Sequence, residues 1–497
     1  MNTKGIFMVK FLKLILLLCP VFTWANDNQK NDKPNIILIL TDDQGYGDMA
    51  VHGHPHLETP NMDKMHAESV RFDRFYVSPS CSPTRAALLT GMHEFKSGVT
   101  HTIQPREKLH KDAVTLADLL KSAGYKTGFV GKWHLGNSKD YAPQYRGFEW
   151  YAKNAKGPHN HFDVEMIRNG KRRQMKGFRE DSFFDEAMAF IDESKNQPFF
   201  LYLCTYSPHT PLGAPQNLLD KYKAKGLNDN HAAYLAMIEN IDDNLGRLDN
   251  FLEKRNLEED TIVIFINDNG VTVGLDVYNA GMRGPKCTVW EGGTRAFSFW
   301  KWGTKWQPNT VESLTAHLDV VPTLCEIADV AIPEKTKKEL EGFSLLPLLQ
   351  KGEWDHDNRL LYQNVGRWPS GTAADHKEAM CGVRKGNFLL VHSQGCDDKV
   401  CKKYPSQCTT LRNVKKGFIH ATYTTKNAQF HWGVSKGWQL FDVKKDPACQ
   451  NDLADQYPEL VDELKQSYSD WWDAQFPIMI KRNGDAGAPE ANRRKKK

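Results

Sequence analysis

The residues with the greatest capacity for chemistry lie in Cys81-Ser82-Pro83-Thr84-Arg85-Ala86-Ala87-Leu88-Leu89-Thr90-Gly91. Pro83 suits the first helical position, where a missing N–H costs nothing. The Ala-Ala-Leu-Leu run favours helix, and Gly91 suits a stop. Cys81 therefore falls at or just before a helix N-terminus, where unpaired N–H groups and the helix dipole favour an anion. Arg85, one turn on, can share that face and add a fixed positive charge. Two readings fit this spacing: a nucleophile beside an anion cradle, or a buried cysteine whose neighbouring arginine pairs with some carboxylate.

Two further groups each close an apolar run. Asn35-Ile36-Ile37-Leu38-Ile39-Leu40-Thr41 ends in Asp42-Asp43-Gln44-Gly45-Tyr46-Gly47-Asp48, and Thr261-Ile262-Val263-Ile264-Phe265-Ile266 runs into Asn267-Asp268-Asn269-Gly270. Runs like these suit strands covered on both faces of a parallel sheet, and ligands bind open α/β sheets at the carboxyl ends of the strands. If the two strands are parallel neighbours, Asp42, Asp43, Asp268 and Asn269 converge at one edge. Four hard oxygen donors with no thiolate or imidazole among them fit Ca²⁺ or Mg²⁺ better than zinc or copper. Each pair alone is also an ordinary acidic turn ending a strand.

The intervening chain supplies elements to position these groups. Lys126 to Val130 reads as a strand leading into Gly131-Lys132-Trp133-His134-Leu135-Gly136, where Lys132 and His134 alternate along extended chain and can point to the same side. Pro198 to Thr205 reads as another, delivering Ser207-Pro208-His209-Thr210-Pro211, a prolyl turn carrying a histidine. Helices are expected at Thr59 to Ser69, Val114 to Ala123, Glu180 to Glu193 and His231 to Lys254. Asp242 and Asp243 on the last of these read as caps or surface pairs. From about residue 358 the character changes to short strand-like runs at Arg359 to Gln363, Gly382 to Arg384, Phe388 to His392 and Gln439 to Val443, then a helix from Pro458 to Trp472.

The Cys81 stretch meets every position of the C-x-P-[ST]-R-x-x-x-L-T-G signature, and so resembles the formylglycine-dependent (type I) sulfatases of the alkaline-phosphatase-like superfamily. The resemblance continues along the chain. The Thr41 to Asp48 segment and Asp268-Asn269-Gly270 look like that family's metal motifs, Gly131 to Gly136 matches G-K-W-H-[LIF]-G, and Pro208-His209-Thr210-Pro211 matches P-H-x-P. Arg283-Gly284-Pro285-Lys286-Cys287 with Glu291-Gly292-Gly293-Thr294-Arg295 is similar to R-G-x-K…E-G-G-x-R, with Pro285 and Cys287 in place of the usual glycines. What this resemblance implies reaches from Asn35 to about Trp472. Cys81 would be oxidised to formylglycine by a maturation enzyme, and one calcium ion held by Asp42, Asp43, Asp268 and Asn269 would contact it. Arg85, Lys132 and Lys286 would neutralise the sulfate, His209 would protonate the leaving alcohol, and His134 would take a proton from the hydrated aldehyde to expel sulfate. The implied fold is α/β: a large mixed, mostly parallel sheet sandwiched by helices, then a smaller C-terminal α+β subdomain on an antiparallel sheet. The rivals are a phosphoester or phosphonate hydrolase of the same superfamily, an arylsulfatase of small substrates, and a non-catalytic sugar-binding relative, whose mark would be a missing catalytic position; none is missing.

Length and composition bound the rest. A chain of 497 residues, 40% hydrophobic, can bury a large core and hold more than one domain. Its formal charge of +4 is small for that length and no nucleic-acid module is present, so nucleic acid is not an expected partner. Residues 1–25 read as an export signal, too short in its apolar run to span a bilayer, so a periplasmic or secreted protein without a stable membrane anchor is expected. A catalytic domain then covers 26–357, a C-terminal subdomain 358–480, and a basic tail 481–497. Within the subdomain, 393–436 is a Cys- and Lys-rich insertion, read equally as a loop shaping the substrate cleft or as a stabilised surface insertion. Disulfides are expected among Cys396, Cys401 and Cys408, with Cys381 and Cys449 as further candidates. The thirteen Trp are expected in the core, and sulfated carbohydrate is the expected substrate.

Overall fold

The strand β1 (Asn35–Asp42) faces two cores at once. Ile36, Leu38 and Leu40 belong to one, Ile37 and Ile39 to the other, all without exposed surface. A strand apolar on both sides must be covered on both sides, and helices cover it. On the first face lie α1 (Cys81–Thr90) and the helices Leu116–Ser122 and Val320–Ile327. The second face carries α2 (Arg179–Ser194), through Phe183, Phe184, Ala187, Phe190 and Ile191, and the long α3 (Asp229–Glu253). The computed structural model describes Met1 and residues 33–157, 160–368, 371–393 and 437–483.

Beside β1 in the main sheet run β2 (Lys126–Gly131), β3 (Phe199–Pro208) and β4 (Thr261–Asn267). Their spatial order is β4-β1-β3-β2, followed by Trp150–Asn154, and every neighbouring pair is parallel. Antiparallel strands extend both edges, which makes the ten-stranded sheet mixed but mostly parallel at its centre. The β1–β4 register sets Thr41 opposite Asn267, so the chain leaves both strands with Asp42-Asp43 beside Asp268-Asn269. The Asp268 N–H donates to the Thr41 carbonyl at 3.1 Å and holds the two turns together. The expected convergence of the acidic turns is thus a consequence of register.

Element ends differ from the sequence expectation by a few residues, as frayed ends do. Pro83 is the third residue of α1 rather than the first, still in the turn whose N–H groups lack intrahelical partners. Gly91 stops the helix at φ 66°, its N–H bonding the Ala87 carbonyl. Asp242 is buried, not on the surface: it caps the helix Pro60–Glu68 by accepting from the N–H groups of Asn61 at 3.2 Å and Met62 at 2.6 Å.

A second, four-stranded antiparallel sheet holds β5 (Leu360–Asn364), β6 (Cys381–Lys385), β7 (Phe388–His392) and β8 (Trp438–Asp442), in that order. It packs on α4 (Pro458–Asn483) through Val383, Leu390, Leu440, Leu464, Tyr468 and Trp472. The helix runs past the expected end at Trp472, and through Pro477, because its last turn is anchored. Met479 is buried, and Arg482 donates to the Lys96 carbonyl at 2.5 Å and to Glu339 at 2.6 Å. Residues 481–483 therefore belong to a helix rather than a tail. The tryptophans Trp133, Trp150, Trp290, Trp300, Trp306, Trp368, Trp471 and Trp472 are core residues, as expected, while Trp302, Trp354 and Trp438 are only partly buried.

Cys381 and Cys449 are free thiols, which removes them from the expected disulfide set. Each is enclosed in its own apolar cluster, Cys381 against Tyr468 and Cys449 with Trp290 and Phe441. Cys396, Cys401, Cys408, the expected export signal and nearly all of the expected insertion and tail lie outside the described residues. Among the described residues no helix is long and apolar enough to cross a membrane.

Candidate active site

All ten residues singled out in the sequence meet at the carboxyl edge of β1 and β4. At the floor is Arg85, without exposed surface. Its Nη1 donates to the Lys132 carbonyl at 2.8 Å and its Nη2 to Asp268 Oδ2 at 2.9 Å. Lys132 pairs with Asp42 and Lys286 with Asp43. The Asp43 N–H donates to Asp268 Oδ1 at 3.1 Å, and Asn269 Nδ2 to Asp43 Oδ1 at 2.9 Å. Cys81 starts α1 above this layer, 1% exposed, with Lys286 Nζ 3.8 Å and His134 Nδ1 3.4 Å from its sulfur. His209 completes the ring from the turn after β3, its Nε2 3.7 Å from Asp43 Oδ2.

The donor set fits a hard divalent cation. Asp42, Cys81 and Asp268 offer ligand atoms within 4.8 Å of one another, as do Asp42, Asp43 and His209. Two oxygens of the set, Asp42 Oδ1 and Asn269 Oδ1, are buried with no hydrogen-bond partner, and a buried polar atom left so is costly. Burial pushes the Asp268 carboxyl well above its ordinary range, and the Asp42 charge pushes the same way against Arg85. Burial also opposes ionisation of Asp42 and Asp43, yet Lys132 and His209 hold the first low, and Lys286 and His209 the second. Carboxylate and amide oxygens are thus gathered where water is excluded, and Asp268, whose charge burial and Asp42 oppose, would ionise more readily beside an oxygen-ligated cation.

Cation and histidine chemistry surround position 81. Burial alone would raise the Cys81 thiol, but Lys132 and Lys286 outweigh it and bring it below its ordinary value, so an anion is favoured there. Burial, then Lys132 and Arg85, lowers His134 to about 3, leaving the ring neutral at neutral pH. Its Nε2 lies 3.1 Å from the Thr102 carbonyl, which accepts but cannot donate. That partner fixes the proton on Nε2 and leaves Nδ1 as an acceptor facing position 81. His134 itself sits at φ 56°, after Gly131 at φ 100°, where a Cβ would stand 1.8 Å from the Cys204 carbonyl. The sharp turn at the end of β2 therefore requires glycine and aims both Lys132 and His134 inward. Cys287, at a usual glycine position, takes φ 67°, so the backbone turn after Lys286 keeps its glycine-like form.

Sequence reasoning missed several supports. Glu107, buried, places Oε2 3.7 Å from His134 Nε2. Glu180 accepts from the N–H groups of Tyr206 at 3.1 Å and Ser207 at 2.9 Å, and so fixes the turn that carries His209. Arg179 pairs with Glu180 and lies over the Tyr206 ring at 4.8 Å. Glu107 stands in an aperiodic polar stretch with no signal of its own. Glu180 was legible only as the start of a helix, and Arg179 before it gave no signal.

A family model described as Sulfatase matches residues 34–330, a span containing every one of these site residues. Arylsulfatase J of Mus musculus is 28% identical over 489 residues, covering 93% of this chain and 79% of that protein. N-acetylgalactosamine-6-sulfatase of Homo sapiens is 31% identical over 384 residues, covering 69% and 71%. Among solved structures, Ps i-CgsB in complex with k-i-k-neocarrahexaose superposes with a TM-score of 0.73 at 25% identity, covering 88% of this chain and 92% of that one. On the family match, these relatives and the shared fold, the chain belongs to the formylglycine-dependent sulfatase family and is a sulfuric ester hydrolase.

Proposed function

We propose that this sulfatase acts in the periplasm or as a secreted enzyme. On this reading it removes sulfate from a sulfated polysaccharide or its oligosaccharides, using one calcium ion and a formylglycine made from Cys81 by a maturation enzyme. The observation that carries the reading is Cys81 at the buried start of α1, with two lysines and a neutral histidine around it and a carboxylate cluster beneath. Asp42, Asp43, Asp268 and Asn269 would hold the ion, and the unpartnered Asp42 Oδ1 and Asn269 Oδ1 suit that role. When present, the formylglycine supplies an oxygen nucleophile and the ion a divalent charge that favours its ionisation.

The chain's own residues do the rest. Lys132 and Lys286 bind the sulfate oxygens through Nζ, stabilising the charge of the transferring group. Arg85 has both Nη groups committed to protein acceptors, so it serves the site by its fixed charge and by holding Asp268 and the Lys132 backbone. His209 donates a proton to the leaving alcohol. His134 takes up a proton at Nδ1 from position 81 when sulfate departs. The names of the human galactosamine sulfatase and of the carrageenan-bound structure support a sugar substrate and put those two sugar classes first for assay.

The test is sulfate release from a panel of carrageenan and glycosaminoglycan oligosaccharides, with Cys81→Ala as control and mass spectrometry to establish the aldehyde. Release from one sugar class, absent in the control, is expected. No release from aldehyde-bearing protein would overturn the polysaccharide reading. Faster turnover of matched phosphate esters would instead favour a phosphoester hydrolase.

A further inference from the structure

The rim of the site carries a cation that the proposed chemistry does not use. Arg367 follows β5 on a short segment clamped at both ends. Before it, Gly366 takes φ 65° with its N–H on Asn364 Oδ1 at 2.8 Å, and a Cβ there would stand 2.3 Å from the Thr100 carbonyl. After it, the buried Trp368 packs edge-on against Phe95 and Trp472, and its carbonyl accepts from Arg106 at 2.5 Å. A side chain between two such anchors is held in place rather than free to wander.

Its surroundings differ from those of the enclosed arginines whose charge or donors are spent. Arg85, Arg295, Arg359 and Arg384 each meet a carboxylate, while Arg74 and Arg146 are held by several carbonyl and amide oxygens. Arg367 is only half-buried, and no carboxylate among the described residues lies within ion-pair distance of it. It makes one hydrogen bond, from Nη2 to Thr102 Oγ1 at 3.0 Å, while its Nε is buried without a partner. Thr102 is the residue whose carbonyl fixes His134, and the neighbouring Ile103 is 46% exposed at the same rim. From the other side, the Arg367 charge acts on Cys287, next to Lys286; burial raises that thiol and Arg367 is the leading opposing influence. Arg367 thus stands between the anchor of His134 and the neighbour of Lys286, partly exposed to solvent.

The scissile sulfate already has Lys132, Lys286 and the field of Arg85. A further planar guanidinium with no carboxylate partner among the described residues has the geometry and spare charge to take another oxyanion. We propose that Arg367 binds a second oxyanion of the substrate, a sulfate or a carboxylate other than the group hydrolysed, and makes the enzyme selective for sugars that carry two anionic groups. The proposal rests on the sulfated-sugar reading above. It makes the C-terminal sheet a contributor to specificity, since β5 delivers the residue.

The test compares three substrates on the full chain: N-acetylgalactosamine 6-sulfate, the same sugar with a second sulfate, and the same sugar linked to a uronic acid. The first pair reads the sulfate source and the second pair the carboxylate source. For one doubly anionic sugar, the wild-type preference in kcat/KM over the singly sulfated one is expected to fall about tenfold or more in Arg367→Ala, chiefly through KM. Arg367→Lys should recover part of it. Arg367→Gln, which can keep the Thr102 bond without the charge, should behave as the alanine variant and guards against misfolding. An equal loss on all three sugars, or an unchanged preference, overturns the proposal. Binding of the same sugars to Cys81→Ala protein is measured in parallel. If none of the three is turned over, the substrate reading fails, and the binding preference still decides the role of Arg367: its loss in Arg367→Ala supports the role, and its absence from the Arg367-containing protein overturns it.

Discussion

The floor and the rim of this site are built from different material. Asp42, Asp268 and Arg85 sit at the ends of parallel strands and inside a helix, with no exposed surface. The rim comes from turns and from the second sheet: the His209 side chain is 29% exposed, and Arg367 stands on a loop that leaves β5. A buried charge is tolerable only when paired, so each floor residue answers another and a change in one strands its partner. Rim groups are partly exposed to solvent, and exchange one partner for another at smaller cost. The difference teaches that the buried charge pairs are tied to the sheet, while the partly exposed groups are carried on the turns and loops around it.

The largest expected effect tests the floor. Cys81→Ala and Asp268→Ala should each lower turnover by more than about 10³-fold in sulfate-release assays. Near-normal activity in either would break the contrast. Chelation of calcium should next remove most activity and lower Tm by a few degrees, both reversed by added Ca²⁺; unchanged activity and Tm would argue against a cation on the carboxylate cluster.

Rim histidines should act more selectively. His209→Ala is expected to cost about 10²-fold or more on sugar sulfates but much less on an aryl sulfate, whose leaving group needs no proton. Equal losses on both would remove His209 from the role of acid. A smaller effect is expected of Glu107→Gln: a loss of only about threefold in kcat, since Glu107 acts on position 81 only through His134; a loss as large as that of His134→Ala would make it part of the floor.

The smallest effect concerns stability, with Glu94 as a buried carboxyl outside the site. Burial raises it to about 7. Between its ordinary value and 7 the folded chain holds a proton that the unfolded chain has released, so the stability this group confers is lost as pH rises through that window. Tm of Glu94→Gln relative to wild type should therefore improve between pH 5 and pH 8, where the floor's Asp42, held low by Lys132, gives no such trend. A pH-independent difference would mean that Glu94 is not protonated when folded.

Much of the site was legible because its residues are tied to local signals. Apolar runs ending in Asp42-Asp43 and Asp268-Asn269 mark strand ends, and Pro83 with Gly91 brackets α1 around Cys81 and Arg85. Glu107, Glu180 and Arg367 carried no such signal, because each acts through a contact across the fold: with His134, with the turn before His209, and with Thr102. Asp242 shows the same limit. Its place on α3 was legible, but not that a second helix begins against it and buries it.

By itself, then, the sequence determined the family, the candidate groups and that the strands bearing them are covered on both faces, since residue type and apolar periodicity are local properties of the chain. Only the tertiary structure decided that β1 and β4 are neighbours in a register that aligns Thr41 with Asn267. It also decided that the floor cations are matched by carboxylates, and that a loop from the second sheet brings Arg367 to the rim. Pairing, register and charge compensation join residues hundreds of positions apart, and only packing of the whole chain selects among the partners that local pattern leaves open.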